Sequence, residues 1–232
     1  MGRQRSTAVD GLMGEGYRNK LAHVLWIGGA TDAGKTTVAD MLAARYGLQT
    51  YHYDRADRLH IERLAQSLPD YRAALAESLD EKWVRPNAEE LAERAMRVFR
   101  DRFPLVVEDL LALPQGCPVL AEGFGLTPEL LAPVLSCPQQ AIWLVPTEAF
   151  KWASMKRRGK PSFRDVTRDA ARVTRNIFER DMLLAQAVKE QARARGLRVV
   201  EVDGAQTVEE LAMTLEQHFQ SLLPPRANQI AH

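Results

Sequence analysis

Five short strand-like stretches, most of them apolar, organise this chain. His23-Val24-Leu25-Trp26-Ile27 stops at Gly28-Gly29. A short continuous apolar run of this kind suits a strand covered on both faces in a parallel sheet. Leu48 to Tyr53 is a second strand, ending at Asp54. Pro118-Val119-Leu120-Ala121 ends at Glu122-Gly123, Ala141-Ile142-Trp143-Leu144-Val145 ends at Pro146-Thr147, and Leu197 to Val202 ends at Asp203-Gly204.

Between these runs the period changes. From Thr36 onward Val38, Met41 and Leu42 fall on one helical face, and Gly47 stops the helix. Residues 55–115 are charged, rich in Ala, Leu, Glu and Arg, and carry no strand signal. Ile61, Leu64 and Leu68 have helical spacing, and so, approximately, do Leu91, Met96 and Phe99. Pro69, Pro86 and Pro104 are expected to punctuate or kink this helical insertion. A long helix is predicted over about residues 165–195, and a last one after Thr207, where Glu210 completes a capping box. Strands alternating with helices give an α/β fold with a five-stranded parallel sheet. Residues 1–20 read as a flexible leader with one helical turn, 21–223 as the folded domain, and 224–232 as a disordered tail.

The first strand leads into Gly29-Ala30-Thr31-Asp32-Ala33-Gly34-Lys35-Thr36, which matches G-x-x-x-x-G-K-[ST] at every fixed position. The glycines let the backbone curl so that successive N–H groups face an anion. The helix that follows, through Thr37, presents its positive N-terminal end. Lys35 puts a charge near the β- and γ-phosphates, and the Thr36 hydroxyl is a hard oxygen ligand for Mg²⁺. Asp32 stands where glycine is common, and Asp tolerates left-handed backbone better than most residues. Strand, loop and helix in this order support a nucleoside triphosphate site.

With these residues in place, the chain resembles the small P-loop kinases of the nucleoside-monophosphate, shikimate and gluconate kinase type, over roughly residues 22–218. The resemblance implies a three-layer P-loop fold, ATP as co-substrate with Mg²⁺, a phosphoryl acceptor held by the helical segment after the second strand, and a basic lid after the fourth. Asp54 ends the second strand, where open α/β sheets bind ligands. It is a candidate to orient or deprotonate an acceptor hydroxyl, or to cap the next helix. Arg55 and Arg58 are candidate acceptor contacts, or members of a solvated helix face. Glu122 holds the Walker B-like position, with Mg²⁺ through water or general-base work as its expected role. Glu122-Gly123-Phe124-Gly125-Leu126-Thr127 is similar to the Asp-Gly-Phe-Pro-Arg-Thr stretch of adenylate kinases. Leu126 replaces the monophosphate-clamping arginine, which speaks against AMP as acceptor.

Lys151, Lys156, Arg157, Arg158, Lys160 and Arg164 follow the fourth strand, in the lid at 148–165. Arg157 and Arg158 are the preferred groups for neutralising a migrating phosphoryl group; a solvated basic loop is the alternative. Gly204 and Gln206, after the fifth strand, would edge the adenine. Trp26 and Trp143 read as core residues.

Composition adds limits. The 232 residues are 46% hydrophobic with a formal net charge of +1, so no global attraction to nucleic acid or acidic membrane is expected. No apolar run approaches a membrane span. Cys117 and Cys137 form no disulfide framework and fit a reducing cytoplasm. The five histidines lack metal spacing. Two functions fit: an ATP-dependent phosphotransferase acting on a small-molecule hydroxyl or phosphate, and a nucleotide-operated switch with a protein partner. The acceptor, ATP against GTP, and the oligomeric state are open.

Overall fold

The computed structural model describes residues 15–114, 116–157 and 163–227. Strands β1 (Val24–Gly29), β2 (Gln49–His52), β3 (Val119–Glu122), β4 (Ala141–Pro146) and β5 (Arg198–Val202) form one sheet in the order β2-β3-β1-β4-β5. Every pairing is parallel. All five lie at the stretches read as strands in the sequence.

Alternation across the pleat divides the core. Val24, Trp26, Val119, Ala121 and Trp143 face one helical layer, while Leu25, Ile27, Leu120, Ile142 and Leu144 face the other. Both faces are covered, which is why β1, β3 and β4 are continuously apolar. Helix α1 (Glu15–Lys20) precedes β1 and α2 (Lys35–Tyr46) follows it; Gly47 closes α2 at φ 63°. The insertion is helical throughout: α3 (Asp57–Ser67), α4 (Pro69–Ala76), α5 (Leu79–Trp83) and α6 (Ala88–Ala112). After β3 come α7 (Pro128–Leu131), α8 (Glu148–Arg157), α9 (Ala170–Arg193) and α10 (Val208–Phe219). Thr207 and Glu210 form the expected capping box. This is a three-layer P-loop kinase-like fold. Helices α6 and α9 cover one face of the sheet, α2 and α10 the other.

Pro104 does not interrupt the chain but lies inside the 25-residue α6. An interior proline costs roughly 3 kcal/mol. Burial of Phe99, Phe103, Val106, Val107 and Leu110 against the sheet offsets this, since each large side chain contributes about 1.5–3 kcal/mol. At the start of the tail, Arg226 pairs with Glu216 and donates to Tyr46 Oη at 3.4 Å. Residues 1–14 of the leader and 228–232 of the tail lie outside the described residues. Cys117 is exposed and Cys137 half-buried, both as free thiols. Among the described residues no helix is long and apolar enough to cross a membrane.

Candidate active site

The phosphate loop begins at the C-terminal edge of the central strand. Gly29 has φ 119°, and a Cβ there would stand 2.0 Å from the Leu144 carbonyl oxygen of β4. Only glycine fits this close approach. Ala30 N–H donates to that same oxygen at 3.0 Å, pinning the loop's entry. Asp32 adopts φ 65° and Gly34 φ 80°. Asp32 is the only non-glycine at positive φ among the described residues, and it keeps the turn that a glycine often supplies. Ala33 is buried beneath the loop, while Thr31 is half-buried. Lys35 is 7% exposed, and its Nζ donates to Ala30 O at 2.6 Å. Desolvation lowers its pKa, with Glu122 and Asp54 opposing. Thr36 and Thr37 are exposed on the first turn of α2.

The carboxylates come from neighbouring strand ends. Glu122 lies level with Ile27 of β1 and His52 of β2. It is 3% exposed, with Oε1 2.9 Å from His52 Nδ1; His52 Nε2 is 3.7 Å from Asp40. Asp54 follows β2 in a 3₁₀ turn, Tyr53–Ala56, and is open to solvent. Protein atoms around it still raise its carboxyl pKa by desolvation, Lys35 opposing and Glu122 adding to the shift. Lys35, Asp54 and Glu122 therefore share one electrostatic neighbourhood.

Asp54 also lies at the edge of a cavity of about 600 Å³ between the insertion and α9. Arg102, on α6, shapes this edge. It is 1% exposed, donates to Tyr53 O at 2.8 Å and Asp57 Oδ1 at 2.5 Å, and its guanidinium sits 3.7 Å from the Tyr53 ring centroid. Arg102 Nε reaches His60 Nδ1 at 3.5 Å. His60 Nε2 and Tyr51 Oη both meet Asp109 Oδ2 at 2.9 Å. Gly123 and Gly125 are required here: a Cβ on either would strike Tyr53 at 2.2 or 2.3 Å. Leu126 is fully buried and its carbonyl accepts from Trp143 Nε1 at 2.8 Å, so it belongs to the core, as do Trp26 and Trp143.

A second cluster grips the loop from the other side. Lys151 of α8, 2% exposed, turns inward instead of joining a lid surface. Its Nζ donates to Asp32 Oδ2 and Asp181 Oδ2 at 2.6 Å each, and to Thr31 Oγ1. Thr31 Oγ1 also donates to Asp181 Oδ2 at 2.6 Å. Arg180 completes the set on Asp181 Oδ1, at 2.9 Å from Nε and 2.5 Å from Nη2. Burial works against the Asp181 carboxylate, but the Arg180 and Lys151 charges prevail and its pKa falls below the ordinary value. Sequence reading missed Asp181. The available signal is an acid inside the apolar stripe Val173, Ile177, Leu184, Val188 of α9; Arg102 interrupts the α6 stripe in the same way.

Other anticipated contacts are not gathered at the cavity. Arg55 is exposed, and Arg58 is solvent-facing and paired with Glu62 at 2.8 Å. Arg157 is exposed in the last turn of α8, its guanidinium 5.7 Å from the Phe150 ring centroid. Arg158 and Lys160 lie outside the described residues. Gly204 has φ 89° against Phe150, and Gln206 is exposed nearby.

The donors at the crevice suit a hard cation. Thr36 offers an exposed hydroxyl, and Glu122 retains Oε2 beside the oxygen that meets His52. Mg²⁺ keeps most of its waters and takes few protein ligands. Accordingly, the lack of any group of three or more His, Cys, Asp or Glu with metal-holding geometry among the described residues does not count against it.

No family model matches the sequence, and no curated protein matches it. Similar solved structures include shikimate kinase from Aquifex aeolicus, 13% identical, covering 90% of this chain and 99% of that one with a TM-score of 0.37. An uncharacterized protein from Eubacterium ventriosum is 15% identical, covering 85% and 98% with a TM-score of 0.41. The fold assignment stands on this chain's own strand order and phosphate loop.

Proposed function

We propose that the protein is an ATP-dependent phosphotransferase that moves the γ-phosphoryl group to a small-molecule acceptor. The observation that carries this reading is the convergence of Lys35, Asp54 and Glu122 beside the phosphate loop, with Asp54 also bordering a large cavity. A switch protein has no need of a small-molecule cavity next to its γ-phosphate position.

In this reading the loop amides of residues 29–36 and the start of α2 bind the β- and γ-phosphates. Lys35 exchanges its bond to Ala30 O for phosphate oxygen. Thr36 and Glu122 would hold Mg²⁺, which would supply charge neutralisation on the phosphates. Asp54 orients the acceptor and accepts its proton at a carboxylate oxygen. Arg157 and Arg158 approach the migrating group from the segment after β4. Gly204 and Gln206 border the adenine. The site acts in the cytoplasm, on neither nucleic acid nor membrane.

The test is ADP release by the purified protein, alone and with a pooled metabolite extract. The reading expects slow release alone, at least tenfold acceleration by the extract, and loss of that acceleration in Lys35→Ala. No acceleration by any fraction would leave the switch reading in its place.

A further inference from the structure

Arg180 belongs to the cavity and to the phosphate loop at once. Among the described residues it is the only member of α9 that lines the cavity. Its guanidinium lies 5.5 Å from the ring centroid of Trp83, in the insertion, and 5.9 Å from that of Phe124, which follows Glu122 after β3. Successive residues of a helix project about 100° apart. Asp181 therefore leaves α9 on another side, toward the phosphate loop, where Thr31 Oγ1 donates to it at 2.6 Å. Neighbours on a helix do not ordinarily face each other. Here the Arg180 side chain turns back and forks onto Asp181 Oδ1, at 2.9 Å from Nε and 2.5 Å from Nη2.

The two oxygens of Asp181 thus serve different sites. Oδ1 takes Arg180 from the cavity, and Oδ2 takes Lys151 and Thr31 from the loop side. Lys151 in turn donates to Asp32 Oδ2 at 2.6 Å. Among the described residues no other cation of the cavity, Lys82, Arg94, Arg97 or Arg102, bonds to the loop or to a residue that does. The Arg180 side chain is only 13% exposed, so its charge acts at low dielectric, where linked polar groups reinforce one another. Burial disfavours the Asp181 charge; of the two cations that keep it ionised, Arg180 acts more strongly than Lys151. Without Arg180, Asp181 keeps Lys151 as its one charged partner and draws it from Asp32, the residue at left-handed φ in the loop.

We propose that Arg180 is a positioning residue that fixes the phosphate loop, through Asp181, from inside the acceptor cavity. This rests on the nucleotide site of the phosphotransferase reading and on no step of transfer. A molecule packed against Trp83 and Phe124 meets the same guanidinium, so filling the cavity and holding the phosphates bear on one carboxylate.

Binding of the β,γ-imido analogue of ATP with Mg²⁺ to the full chain, read by isothermal titration calorimetry, tests the link in a double-mutant cycle. Arg180→Met should weaken binding, and the factor should be at least about threefold larger in protein with Asp181 than in the Asp181→Asn background. Loss of positive charge alone acts alike in both backgrounds, so a smaller ratio overturns the proposal. If Asp181→Asn folds poorly, amide hydrogen exchange in Arg180→Met decides. Exchange across residues 30–34 should quicken at least about threefold while β3 keeps its wild-type rate. Loop exchange at the wild-type rate, or equal quickening in β3, overturns the proposal. Wild-type protein that binds no analogue removes the nucleotide site and this role of Arg180 together. The expected cycle without transfer to any acceptor removes the phosphotransferase alone, and transfer with an additive cycle removes the Arg180 assignment alone.

Discussion

In the proposed mechanism Lys35 and the two carboxylates beside it carry distinct duties, which substitutions separate. Lys35→Ala should abolish transfer while the circular dichroism spectrum stays native, because the proposal gives this side chain to phosphate and its hydrogen bond in the protein is to its own loop. Asp54→Asn should preserve Mg²⁺-ATP affinity and lower turnover by about 10²–10⁴, the usual worth of a positioned base. Glu122→Gln should instead weaken the Mg²⁺ response, read by titrating Mg²⁺ against nucleotide affinity. A shifted Mg²⁺ response in Asp54→Asn with none in Glu122→Gln would reverse the assignment. Because desolvation raises the Asp54 pKa above its ordinary 3.8, the base becomes protonated, and activity falls, at a higher pH than for a free carboxylate. The acid limb of the kcat profile should lie above that value in wild type and vanish in Asp54→Asn.

At the scale of elements, α8 and α9 hold the phosphate loop through Lys151 and Asp181. Both are nearly inaccessible to water. Removing one member of a buried ion pair costs about 3–5 kcal/mol, since the other keeps its desolvation cost. Lys151→Met should therefore destabilise the protein by about that much in urea unfolding, and it should lower ATP affinity as Asp32 loses one of the contacts that steady its left-handed backbone. A stability change under about 1 kcal/mol would show that the cluster is not coupled to folding. The elements themselves were largely legible in the sequence. The central strands β1, β3 and β4 are apolar runs, and Gly47, Thr207 and Glu210 mark helix ends through local chemistry. The loop was legible because its residues are contiguous. The Lys151 cluster was not, because Lys151 and Asp32 are 119 residues apart and Lys151 and Asp181 are 30 apart. Lys151 reads in sequence as one more cation in a basic stretch, and only packing turns it inward. Arg102 was hidden likewise, its partners Asp57 and His60 lying 45 and 42 residues away.

For the whole molecule, the same cluster ties stability to pH. The Asp181 pKa is lowered in the folded state, so its contribution is present above the unfolded value of about 3.9 and is lost as pH falls through the folded one. Stability in urea should decline below about pH 4, and Asp181→Asn should be less stable at neutral pH with a shallower acid decline. In the proposed reading the molecule joins a nucleotide half, built on the sheet, to an acceptor half, built from the insertion and α9. Transfer of label from [γ-³²P]ATP tests that union most directly. With the metabolite extract present, wild-type protein should move the label onto an organic product; Lys35→Ala should move none, and Asp54→Asn should bind ATP yet transfer little. Label appearing only as inorganic phosphate, at the same rate with and without extract, would contradict the account.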